Sequence, residues 1–139
     1  MQWLIWALLS ALFAGATAVL AKVGVTGIST NVATAIRTTV VLVFTWLLAI
    51  LIDRPAGWVR FPARTWVFLV LSGLATGLSW LCYFRALQVG EVAKVAPIDK
   101  LSVVVAICLS VVFLGEKLST KEMAGAALIV AGAVVLAWP

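Results

Sequence analysis

The residues in this sequence that could do chemistry are few, and nearly all sit where an apolar run begins or ends. Lys22, Arg37, Arg85, Glu91, Lys94, Asp99 and Lys100 interrupt stretches otherwise built from Leu, Val, Ile, Ala and Trp. There is no histidine, and both cysteines, Cys82 and Cys108, lie inside apolar runs. That set excludes a His/Cys metal cluster, and it offers no Ser/His pair or carboxylate dyad for hydrolysis or acid–base work. The sequence therefore predicts no enzyme and calls for no metal or cofactor. Ionised groups in apolar surroundings can still bind. A charge at membrane depth costs about 2.5–3.5 kcal/mol on insertion scales, so it usually faces a partner or a wet cavity.

On that argument Lys100, Asp99, Arg37 and Arg85 are the candidates for the polar mouth of a substrate path. Trp80 and Tyr83, with Phe84, crowd the approach to Arg85 and are candidates for its wall. Pro97 removes a backbone donor and leaves the carbonyl of Ala93 without its helical partner, which predicts a kink or loosening beside Asp99 and Lys100. Competing with this is the bland account. Lys22 and Lys94, near segment ends, can snorkel to headgroups, and Asp99 can pair with a neighbouring cation. The hydroxyls of Ser72, Thr76, Ser79 and Ser102 are interior, but their spacing assigns them to no path.

These residues need elements long enough to carry them across a bilayer. The chain is 65% apolar and 11% charged with a mean hydropathy of +1.21, against about half and roughly a quarter in a soluble domain. At about 20 residues per span, the apolar runs near 3–21, 32–52, 65–88, 92–114 and 121–138 predict five transmembrane helices and a single domain over 1–139. The fold class is an all-α integral membrane protein. Its net charge of +5 reads as headgroup anchoring and not as a nucleic-acid footprint. Ala16-Thr17-Ala18 imitates a cleavage site, but no basic stretch precedes it, and the first segment is read as a retained span.

The stretch 53–64, with Pro55, Gly57, Pro62 and three arginines, predicts a surface loop flanked by Trp58 and Trp66. Ser119 with Glu122 has the spacing of a capping box opening the last helix. Fourteen residues from Leu101 to Leu114 rise about 21 Å, which puts Asp99 and Lys100 about 9 Å below the far surface of a core of about 30 Å. Gly73 and Gly77 form a GxxxG, and Gly125, Ala131 and Gly132 crowd the last helix; small residues let helices approach in lipid, and the last helix is a candidate subunit interface. With the intrahelical cations set aside, Arg54, Arg60, Arg64, Lys117 and Lys121 on the Met1 side outweigh Lys22 and Lys94. That bias favours a cytoplasmic N-terminus, with insertion in both orientations as the alternative.

The run Ala93-Lys-Val-Ala-Pro97-Ile-Asp-Lys-Leu-Ser102, then Phe113-Leu-Gly115-Glu116-Lys-Leu-Ser119, then Gly125-Ala-Ala-Leu-Ile-Val-Ala-Gly132, resembles the end of an EamA-type repeat of the drug/metabolite transporter superfamily. Phe13-Ala-Gly15 with Lys22 after it, and Arg37 in the second span, extend the resemblance over essentially the whole chain. It implies one five-helix repeat where most such proteins carry two of inverted orientation, with the substrate cavity between them. A lone repeat could rebuild that architecture as an antiparallel homodimer, with a parallel dimer or a heterodimer as alternatives, and would work by alternating access. The small multidrug resistance proteins are similar in size, but they have four helices and a glutamate in the first. Here the first, second, third and fifth spans have no interior carboxylate.

The function expected is secondary transport of a small polar metabolite, anionic or zwitterionic, in the bacterial cytoplasmic membrane. A lipid-carrier flippase subunit and a structural or regulatory subunit without cargo are the other readings.

Overall fold

The computed structural model describes residues 2–52 and 61–138. Five helical spans cross it in order, and among the described residues there is no strand. They comprise α1 (Gln2–Gly24), α2 (Thr30–Ile52), α3 (Ala63–Val89), a composite fourth span and α6 (Thr120–Ala137). The fourth span is α4 (Val92–Asp99), α5 (Ser102–Leu109) and a π-helical turn over Ser110–Leu114. All five are long and apolar enough to span a bilayer. Leu, Val, Ile and Phe side chains are largely exposed along them, as lipid-facing surfaces are. The sequence-predicted loop around Pro55, Gly57 and Trp58, with Arg54 and Arg60, lies outside the described residues.

Chemistry at the ends sets the boundaries. α2 starts two residues earlier than its apolar run because Ser29 caps it: the Ser29 hydroxyl accepts from the Val32 N–H at 3.4 Å and its carbonyl from Ala33 at 3.0 Å. Before it the chain turns at Gly27, whose φ of 79° suits glycine and little else. α6 opens on the capping box expected from its sequence. The Glu122 N–H donates to the Ser119 hydroxyl at 3.3 Å, and the Ser119 N–H donates to the Glu122 carboxylate at 2.7 Å. Gly115, with φ 69°, closes the π-helical turn, and Glu116 donates back to the Ser110 carbonyl at 3.3 Å.

The fourth span narrows just past Pro97. The helix continues through the proline to Asp99, and then the hydrogen bonds shorten to three-residue steps: Leu101 N–H to Ile98 (3.0 Å), Val103 N–H to Lys100 (3.0 Å) and Val104 N–H to Leu101 (2.9 Å). The break therefore falls on Lys100 and Leu101, after the proline and not at the orphaned Ala93 carbonyl before it.

The chain divides into two compact units, Met1–Lys22 with Val89–Pro139, and Val23–Gln88. In the first, α4 and α6 lie closest. The least exposed residues of α6 include Ala126, Ala133 and Ala137, which fall on one stripe. Among the described residues, the space a side chain would take at Gly73, Gly77, Gly125 and Gly132 is open, and Ala131 is exposed. In the second unit the core sits at one end, where Val25, Phe84 and Leu87 are almost wholly buried.

Candidate functional site

Within Val23–Gln88, one amide organises the buried end. The Gln88 side chain, on the last turn of α3, donates to the carbonyls of Val25 (3.2 Å) and Ile28 (2.7 Å). Its oxygen accepts from the Thr30 hydroxyl (2.7 Å) and from Arg85 Nη1 (3.2 Å). Two donors and an acceptor with two lone pairs are thereby all used. Gln88 thus fastens the turn at Gly27 and the start of α2 to the end of α3, and it orients the exposed Arg85 from one helical turn away. The sequence reading passed over Gln88; its only signal was an amide one turn after an intramembrane arginine.

Two concavities open on this unit. The first, about 460 Å³, is lined by Ser29, Thr30, Asn31, Arg85 and Gln88 together with Ile28 and Leu81. The second, about 570 Å³, runs along α2 past Asn31, Thr34, Ala35, Thr38, Thr39 and Leu42, again against Leu81. Asn31 and Leu81 line both, so the two meet there. The α2 lining is a helical stripe, positions 31, 35, 38 and 42, with Thr34 and Thr39 beside it. Asn31, Thr34, Thr38 and Thr39 were missed from sequence. The signal that could have found them is polar residues recurring every three or four positions in a span that is otherwise apolar.

Arg37 has a different setting. Its guanidinium lies 4.3 Å from the centroid of Trp80 and 5.3 Å from that of Phe84, a cation–π arrangement. Phe84 in turn sits 6.3 Å from the Tyr83 ring. The structure thus joins Arg37 to Trp80 and leaves both, with Tyr83, off the lining of either concavity; of the predicted path residues in this unit, Arg85 alone is on it. Among the described residues no carboxylate lies within ion-pairing distance of Arg37 or Arg85. Arg64, at the start of α3, stacks over Phe68 at 5.7 Å, a local pair one turn apart.

The other candidates belong to the first unit. Lys100 Nζ lies 3.5 Å from Asp99 Oδ2, and Lys94 lies 3.7 Å from Glu91. Asp99 ends α4 and Lys100 follows it, so the pair sits between α4 and α5. Lys22 donates to the Gly90 carbonyl at 2.8 Å. None of these residues lines the two concavities.

Five apolar helical spans define a multi-pass membrane protein, and its second unit carries two concavities that meet at Asn31 and Leu81. The EamA-like transporter family matches residues 1–138, and the chain belongs to that family. It is 53% identical over 139 residues to a protein of Sinorhizobium sp named as an uncharacterized transporter in the cobO 3' region, with 98% of this chain and 96% of the relative covered. No solved structure matches. The protein is a membrane transporter.

Proposed function

We propose that the protein is a secondary transporter in the bacterial cytoplasmic membrane that moves a small polar metabolite, anionic or zwitterionic, by alternating access as a dimer. The observation that carries this is the concavity holding Arg85, in a unit whose described residues include no carboxylate. Between Lys22 and Glu91 the sequence has one acid, Asp53. A guanidinium with spare N–H groups and no internal counter-ion is a site for an anionic group on a cargo. The broken fourth span at Lys100 and Leu101 would supply the irregular helix that alternating access uses in other transporters.

Two observations support the dimer. The Sinorhizobium relative is itself spanned to 96% by this chain, so it too holds one such unit. The open surfaces at Gly73, Gly77, Gly125 and Gly132 leave small-residue faces for a second chain.

The test is purified protein in proteoliposomes, assayed for saturable uptake of labelled anions and of labelled cations, with cross-linking to score association. Anion uptake by a cross-linked dimer is expected. Uptake of cations with no response to anions would sink the cargo assignment. Full transport by a species that stays monomeric would sink the dimer, and phospholipid scrambling without solute uptake would favour a flippase.

A further inference from the structure

The two meeting concavities differ in the hydrogen-bonding sense of what they offer, and that difference restricts the cargo. In the first, Gln88 is fully engaged and the Thr30 hydroxyl has given its proton to Gln88. What remains is Arg85, with one of its five N–H groups on Gln88, the Asn31 amide, and the Ser29 hydroxyl, whose oxygen already accepts from Val32. These are predominantly donors, and one is charged. They suit an anion.

Past Asn31, which the two share, the second concavity is the reverse. The Thr34 hydroxyl donates to the Thr30 carbonyl (2.8 Å), Thr38 to the Thr34 carbonyl (2.8 Å) and Thr39 to the Ala35 carbonyl (3.0 Å). A carbonyl can only accept, so each threonine has committed its single proton to the backbone. What each then shows the groove is an oxygen with lone pairs. A cargo lying here must bring its own O–H or N–H groups.

Charge narrows it further. Among the described residues no carboxylate lines this part of the groove. A buried ammonium without an ionic partner is costly, whereas a hydroxyl needs only an acceptor. A second anionic group would need a second cation, and Arg37, stacked on Trp80, lines neither concavity. Resting on the transporter reading above, we infer that the cargo is a hydroxy acid: one anionic group held at Arg85 and Asn31, and uncharged hydroxyls donating to Thr34, Thr38 and Thr39. Asn31 to Thr38 spans about 10 Å of helix, so a chain of up to about six carbons fits along it.

A six-carbon series tests this on the full-length protein, by calorimetric binding in detergent and uptake in proteoliposomes. Gluconate carries the anion and the hydroxyls, hexanoate the anion only, sorbitol the hydroxyls only, 6-aminohexanoate both charges, and hexylamine the cation only. Gluconate is expected to bind at least tenfold more tightly than any of the others. The double variant Thr38→Val/Thr39→Val, at exposed positions where the isosteric change leaves the helix intact, is expected to cost gluconate roughly tenfold and leave hexanoate unchanged. Arg85→Gln is expected to weaken both acids, roughly 10- to 150-fold.

Equal binding of hexanoate and gluconate, or an unchanged gluconate affinity in the valine variant, overturns the inference while anion transport stands. Preference for 6-aminohexanoate overturns it in favour of a zwitterion. Binding of hexylamine alone sinks the anion reading as well. Binding by none of the five also overturns the hydroxy-acid assignment.

Discussion

Arg37 and Arg85 are the same residue type, in the same unit, each set in an apolar span, yet their surroundings are opposite in kind. Arg37 lies over the rings of Trp80 and Phe84, which hold it among aromatics. Arg85 is exposed, held at one N–H by Gln88, and lines a polar concavity with its other donors unspent. An arginine in a membrane span can thus be stacked on rings or left with spare donors on a concavity. Which one it becomes depends on whether aromatic faces or an amide are within reach. Sequence distance to the aromatics does not decide it: Arg85 follows Phe84 directly, and the Phe84 ring is over Arg37.

The largest test of that contrast is Arg85→Gln against Arg37→Gln. Loss of a charged hydrogen-bonding partner is worth about 1.5–3 kcal/mol, so Arg85→Gln should lower anion affinity roughly 10- to 150-fold. Arg37→Gln should leave that affinity within a few-fold, as read by the same calorimetry; equal losses would merge the two roles. Next is Gln88→Leu, which strands the Val25 and Ile28 carbonyls and releases Arg85. A stability loss of about 2 kcal/mol is expected, with faster amide exchange across 24–31 as the direct readout.

Arg37→Gln and Trp80→Leu should each lower stability by about 1 kcal/mol, and their double variant should lower it by less than the sum. Additive losses in thermal unfolding would show that the stacking contributes nothing. The smallest effect belongs to Gly27→Ala: a residue with a Cβ at φ 79° should cost about 1 kcal/mol without touching either arginine, leaving binding as it was.

Most of the fold could be read from the sequence. Five apolar runs gave five spans, and the Ser119–Glu122 spacing gave a capping box, because both depend on local pattern. The missed ends were those set by single polar atoms, such as the Ser29 cap that starts α2 early. The site was less legible. Intramembrane charge is conspicuous, which is why Arg85, Lys100 and Asp99 stood out; the structure puts Arg85 on a concavity and Lys100 and Asp99 at the break in the fourth span. Asn31, Thr34, Thr38 and Thr39 escaped because threonine in an apolar helix looks like filler. Only its hydrogen bond to the preceding turn shows that its proton is spent. The glycine motifs marked surfaces free for contact, but a sequence cannot say whether the chain or a neighbour fills them.

The bond from Lys22 to the Gly90 carbonyl joins residues that are far apart in the chain, and it belongs to a unit assembled from both ends of the sequence. α1 is therefore synthesised first and completed last. It must wait in the membrane while Val23–Gln88, whose hydrogen bonds at Gln88 close within its own span, is made and packed. Lys22 meets its acceptor only once α3 has been made and Gly90 has followed it, so the unit that holds Arg85 and Gln88 can close its own hydrogen bonds before the unit drawn from both ends is complete.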